Sequence, residues 1–265
     1  MGHRIPAALV LAALLGAGCA SSPPPAAPPG PDAVSPRLHH LLDLDDARAP
    51  LRELEPFLRD PDPEVRARAA LAAARSAPTE AAPVLRAAIQ DPEPRVREAA
   101  AFAMGITGDA DLAGDALLHA KRKDGTDAER EAAAAAAVRL GGERVWKEEA
   151  FGALFTSTVP AVRRAAFRAL PAAVRGWKEK PATLPAWLRA KVMEGGEPDP
   201  AVRVACRIAL RTLLTPKPDE PLANPPAWGL EEIASALRSA NKTDGDDDAR
   251  CAGWHLVGLI DARLG

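Results

Sequence analysis

A seven-residue phrase recurs along the chain and limits what it can become. Asp60-Pro61-Asp62-Pro63-Glu64-Val65-Arg66 returns as Asp91 to Arg97 and as Glu197 to Arg203. Weaker copies run from Asp124 to Arg130, Ser157 to Arg163 and Asp244 to Arg250. The closing arginine falls at 66, 97, 130, 163, 203 and 250, so the copies stand 31, 33, 33, 40 and 47 residues apart. A period of that length marks an array of stacked units, none of which can bury its apolar face alone.

Each part of the phrase has a local reason. A proline pushes the residue before it into an extended conformation, so Asp-Pro-Asp-Pro is a turn. The second proline (Pro63, Pro94, Pro160, Pro200) suits the first helical position, where a backbone N–H has no partner to lose. Asp62 and Asp199, just before it, can cap the helix through their carboxylates. Acidic side chains there also oppose the positive helix end.

After the arginine, small apolar residues recur at +3, +6 and +7. They are Ala69, Ala72 and Ala73 in the first copy, Ala100, Ala103 and Met104 in the second, and Ala166, Ala169 and Leu170 in the fourth. The fifth copy gives Cys206, Ala209 and Leu210, and the sixth Gly253, Leu256 and Val257. At about 100° per residue these share one helix face. The third copy is nearly all alanine from Ala132 to Ala137, and its face is ambiguous.

A second apolar helix precedes the phrase. Its residues are Leu51, Leu54 and Leu58, then Leu85 and Ile89, Leu118, Phe151 and Phe155, and Ile233 and Leu237. The spacing predicts an all-α fold, an α/α solenoid of about six helix pairs over residues 37–265. Strand signals are nearly absent, and aromatic content is only 4% with no tyrosine, which favours close helix contacts over a thick sheet-on-helix core.

The pattern resembles the HEAT repeat, in the short variety met in phycobilin-lyase-like proteins. The residues that carry the likeness are the Asp-to-Arg phrase, Val65-Arg66 to Ala69, Val96-Arg97 to Ala100, and the ending Met104-Gly105-Ile106-Thr107-Gly108-Asp109. It covers roughly residues 38–265. The resemblance implies a ladder in which Asp60, Asp91, Asp124 and Asp244 pair along the stack with Arg66, Arg97, Arg130, Arg163, Arg203 and Arg250. It implies no single function, because such repeats bind diverse partners.

The N-terminus reads differently. Arg4 precedes an apolar stretch, Ile5 to Ala17, that is the length of a signal-peptide core and too short for an ordinary membrane span. Leu15-Gly16-Ala17-Gly18-Cys19 resembles a bacterial lipoprotein signal. Residues 1–18 are therefore expected to be a signal peptide and Cys19 the lipidated first residue. Residues 19–36 are rich in Pro, Ala and Ser and form a tether. Ala20 after the cysteine leans towards the outer membrane within that family, facing the periplasm.

Little else carries chemistry. A net charge of −2 argues against a nucleic-acid partner. No metal-ligand or nucleophile motif occurs: His39-His40 are adjacent, and His119 and His255 are isolated. The run Asp244 to Asp248 lacks the spaced ligands of a calcium loop. Catalytic residues, metal and cofactor are accordingly expected to be none. Cys206 and Cys251 could bridge in an oxidising compartment; a buried, free Cys206 is the reading preferred here. Two segments, Ala172 to Thr183 and Thr215 to Pro226, read as loops inserted between units, which serve either as a binding edge or as plain connections.

One charge pattern rises above background. Arg164, Arg168, Arg207 and Arg211 follow the motif arginines at +1, +5, +4 and +8. They fall within an arc of roughly 40–140°, opposite the apolar set at roughly 240–340°. Clustered arginines suit carboxylate or phosphate partners through forked hydrogen bonds. The expected function is a non-enzymatic protein-binding scaffold or adaptor of the cell envelope. It would be lipid-anchored and would hold another, acidic protein on its concave face. The alternatives are a bilin-lyase-like enzyme or accessory subunit, and a structural envelope spacer.

Overall fold

The structure is a computed structural model. It describes residues 35–264, apart from 176, 178–180, 182, 194–196 and 216–227. Every regular element among the described residues is helical. A leading helix, α1 (Pro36–Asp46), is followed by six pairs. The first joins α2 (Leu51–Leu54), with a 3-10 turn at Phe57–Arg59, to α3 (Pro63–Ser76). The second is α4 (Ala82–Ala88) and α5 (Pro94–Thr107). The third is α6 (Ala113–Ala120), entered by a 3-10 turn at Ala110–Leu112, and α7 (Asp127–Gly141). In the fourth the first helix is split into α8 (Arg144–Lys147) and α9 (Glu149–Phe155), ahead of α10 (Pro160–Arg175). The fifth is α11 (Ala186–Val192) and α12 (Pro200–Leu214), and the sixth α13 (Leu230–Thr243) and α14 (Asp247–Leu264). The all-α solenoid read from the repeat is thus the fold.

The helices begin where the phrase dictates. Pro63, Pro94 and Pro200 occupy the first turn of α3, α5 and α12. Asp62 accepts from the Glu64 N–H at 2.9 Å and Asp199 from the Val202 N–H at 3.1 Å. Helix α7 has no such proline. It starts with a capping box in which Thr126 and Glu129 each accept the other's backbone N–H.

The second helices of successive pairs pack in file: α3 on α5, α5 on α7, α7 on α10, α10 on α12 and α12 on α14. The face at +3, +6 and +7 is buried in every copy, including Ala133, Ala136 and Ala137 of the third. Alanine at these places lets the axes approach closely. At Gly105 a Cβ would come within 3.2 Å of the Ala136 Cα, so any larger residue there would push α5 and α7 apart by a few tenths of an ångström.

Two readings are corrected. Leu118 is 72% exposed; the inward stripe of α6 is Ala113, Ala116, Leu117 and Ala120, at helical i, i+3, i+4 and i+7 spacing. Residues Ala172–Arg175 are not an inserted loop but the last turn of α10, which continues past Pro171. Trp177 beyond it is buried against Trp146, with ring centres 6.3 Å apart. The other expected insertion lies outside the described residues from 216 on. So do the signal peptide, Cys19 and the tether as far as residue 34; Pro36 already opens α1. Residues 36–265 make up one compact unit. No helix among the described residues is long and apolar enough to cross a membrane.

Candidate functional site

The motif arginines do two jobs at once. Nη1 turns back to the chain's own turn: Arg66 donates to the carbonyls of Asp60 and Pro61 at 2.8 and 3.2 Å, and Arg97 to those of Asp91 and Pro92. Nε and Nη2 then fork onto a carboxylate of the next pair. Arg66 holds Asp91 at 2.8 and 2.9 Å, Arg97 holds Glu129 at 2.9 and 3.0 Å, Arg163 holds Glu197 at 2.9 and 2.6 Å, and Arg203 holds Asp244 at 3.0 and 2.7 Å. Burial alone would raise each of these four carboxyls. The arginine fork and a backbone N–H outweigh it and hold them below their ordinary values.

The ladder differs from the implied one at five places, the first being Arg163, whose partner Glu197 was not among the expected acids. Asp60 meets Arg37 of α1 at 3.1 Å, not a motif arginine. Asp124 is exposed and pairs with Arg122, which holds its carboxyl down to about 2. Its rung is taken by Glu129, because the third turn is built on the Thr126 capping box and brings the N3 carboxylate, with its longer arm, into the buried slot. Arg130 finds no acid in the next pair, where Ser157 stands in the rung position. The Ser157 Oγ accepts the Val159 N–H, and its carbonyl accepts Arg163, as the acids do in the other copies. One oxygen short, it cannot also serve Arg130, which bonds Asp127 at 2.5 Å and leaves its buried Nε without an acceptor. Arg250, in the last pair, likewise pairs locally with Asp247.

On the second helices the surface is hollowed. Two adjoining depressions of about 330 and 490 Å³ run across α3, α5, α7 and α10 and share Glu98, Phe102 and Ala132. Ala132, Ala135, Ala165 and Ala169 line the larger one, and Phe102, 49% exposed, stands in both. Its charged rim is partly self-neutralised. Glu64 takes Arg68 at 3.6 Å and Arg95 at 2.5 Å, and Glu131 takes Arg164 at 3.1 Å.

The predicted arginine stripe is divided by this geometry. Arg168 lines the larger depression and is exposed; Arg164 is bound to Glu131 at its rim; Arg211 is exposed on α12. Arg207 is not on the surface. It is buried where α12 meets the start of α14 and donates to Asp244 and to the Ala249 carbonyl. Burial pushes its guanidinium below the usual value. Phe102, Glu98 and Arg139 are site residues that the charge pattern alone did not bring out.

The remaining candidates are placed as follows. Cys206 is buried and free, with its thiol pushed up by burial, and Cys251 is exposed and free. Asp244 serves the Arg203 rung, and Asp246 caps α14 through the Ala249 N–H. His119 is not isolated. It lies buried with Nε2 at 3.5 Å from Glu129, and burial, then Arg122, holds the imidazole below its ordinary value. Neither of its ring nitrogens has a hydrogen-bond partner. No group of three or more His, Cys, Asp or Glu side chains that could hold a metal occurs among the described residues.

Residues 51–139 match the HEAT repeats family, and no curated protein matches the chain. The matched stretch is the first three helix pairs. Arg163–Glu197 and Arg203–Asp244 repeat the same fork beyond it.

Proposed function

We propose that the protein is a non-enzymatic scaffold that holds another protein in the groove over α3, α5, α7 and α10, and that a lipid on Cys19 fixes it to the bacterial cell envelope facing the periplasm. The observation that carries the first part is Phe102. Phe102 stands half exposed over a floor of alanines in a groove, and aromatic side chains are enriched at protein–protein interfaces. The second part rests on the sequence of residues 1–36 alone.

A photo-reactive phenylalanine analogue at position 102, used in the native host and followed by mass spectrometry, tests the first part. A protein adduct that disappears when Ala135→Trp fills the floor supports it. A folded chain that gives no adduct argues for a spacer. For the anchor, Cys19→Ser is expected to move the protein from the membrane fraction to the soluble one. Retention in the membrane fraction would exclude the lipid as its tie.

A further inference from the structure

The charges around the larger depression do not cancel, and the remainder has a direction. Glu131 there is paired with Arg164, while Glu64, which Arg68 and Arg95 share, lines the smaller depression. Three exposed side chains then stay outside any ion pair among the described residues: Glu98 on α5, Arg139 on α7 and Arg168 on α10. All three line the same 490 Å³ hollow, together with Phe102 and the alanine floor. Its volume lies within the ~300–1,000 Å³ usual for sites that enclose a side chain or small ligand. The Arg139 guanidinium rests beside Gly105, where a Cβ would touch Nη1 at 3.5 Å. Along the stack the acid stands on α5 and the two bases on α7 and α10, the helices that also carry the alanine floor.

We infer that this hollow takes a peptide segment of fixed polarity: a cationic group at Glu98, a bulky apolar side chain between Phe102 and the alanines, and a carboxylate at Arg139 and Arg168. The inference rests on the interaction reading above and adds the partner's chemistry and direction. One guanidinium fork matches the two oxygens of a carboxylate, and a second guanidinium lining the same hollow adds positive charge to hold it. The apolar side chain displaces water from the floor, and those charged contacts then strengthen as the local dielectric falls. A segment laid the other way sets its carboxylate against Glu98 and its cation against two arginines, and like charges brought together in an interface cost binding. The carboxylate is that of an Asp or Glu side chain within the segment.

The test is selection of random 12-residue peptides on the full-length chain, with one library internal to the display protein and one ending in a free C-terminus. The expected enrichment, from the internal library, is a basic residue, then a bulky apolar one, then an acid; enrichment only with a free terminus would overturn the side-chain assignment. Binding of the best synthetic peptide is then read by fluorescence anisotropy. Glu98→Lys, and Arg139→Glu with Arg168→Glu, are each expected to weaken it by about tenfold or more. Arg211→Glu, outside the hollow, leaves it unchanged. The triple variant Glu98→Lys, Arg139→Glu, Arg168→Glu regains affinity for the peptide of reversed charge order; because it is a gain, loss of folding cannot imitate it. No enrichment, or binding indifferent to these three residues, or failure of the reversed peptide on a folded triple variant, overturns the inference. A Phe102 adduct in cells alongside such a failure leaves the scaffold reading standing without it.

Discussion

Ser157 interrupts the arginine ladder, and replacing it tests whether the ladder stabilises the stack. In the Ser157→Asp variant the new carboxylate stands where Asp91 and Asp244 stand in their own copies. The Oγ–Val159 contact shows that the local turn already has the form those acids use. Arg130 is waiting for it: its side chain is 19% exposed, and its buried Nε lacks an acceptor. A buried donor left unpaired costs about 1–3 kcal/mol. Drawing the guanidinium away from Asp127, itself 69% exposed, gives up ~0–1 kcal/mol. The net gain is about 1–2 kcal/mol, or roughly 3–6 °C in Tm for an array of this size. Thermal melts followed by circular dichroism at pH 7 read it directly. The sign with pH is fixed. The arginine lowers the folded pKa of the added carboxylate below its unfolded ~3.9, so the gain is full at neutral pH and is lost as the pH falls through the folded value. Ser157→Asn, with the same shape and no charge, should recover only a fraction. An absent gain, or an equal gain in an Arg130→Ala background, would refute the reasoning, because the stabilisation would then not run through that rung.

Glu129→Gln should cost about 3–5 kcal/mol in urea unfolding, since it strands Arg97 in a buried slot, whereas Asp124→Asn, at an exposed carboxylate, should leave the urea midpoint unchanged. His119 gives an acid-side slope. The unfolded chain binds a proton near pH 6.5 that the folded chain resists, so stability is full above that value and falls as the pH drops through the lower folded one. His119→Leu should flatten urea midpoints between pH 7.5 and 5.5, and an unchanged slope would point to another group. Native alkylation followed by peptide mapping should modify Cys251 and spare Cys206 until denaturant is added.

What could be read from the chain, and what could not, follows from the range of each interaction. Pro63, Asp62 and the +3, +6, +7 face act within one or two helix turns, so spacing alone located them. The third rung needed more. Asp124 and Glu129 are five residues apart, and which one enters the slot depends on where the turn delivers its carboxylate, a property of the Thr126 capping box and not of the repeat frame. Arg207 shows a second limit. Its angle around α12 places it opposite the core, but periodicity describes one helix, and the start of α14 covers that angle. Phe102 was within reach. It sits at +5 from Arg97, the same register as Arg168 in the fourth copy and Ile208 in the fifth. The residues at +5, namely Leu71, Phe102, Ala135, Arg168, Ile208 and His255, include none that is buried. From copy to copy the residue at this register changes from aliphatic to aromatic to cationic, while the +3, +6 and +7 face stays apolar and buried. Stacking demands uniformity of one face, and recognition demands variety of the other. In this array the register that varies and stays open is also the one that supplies Phe102 and Arg168 to the groove.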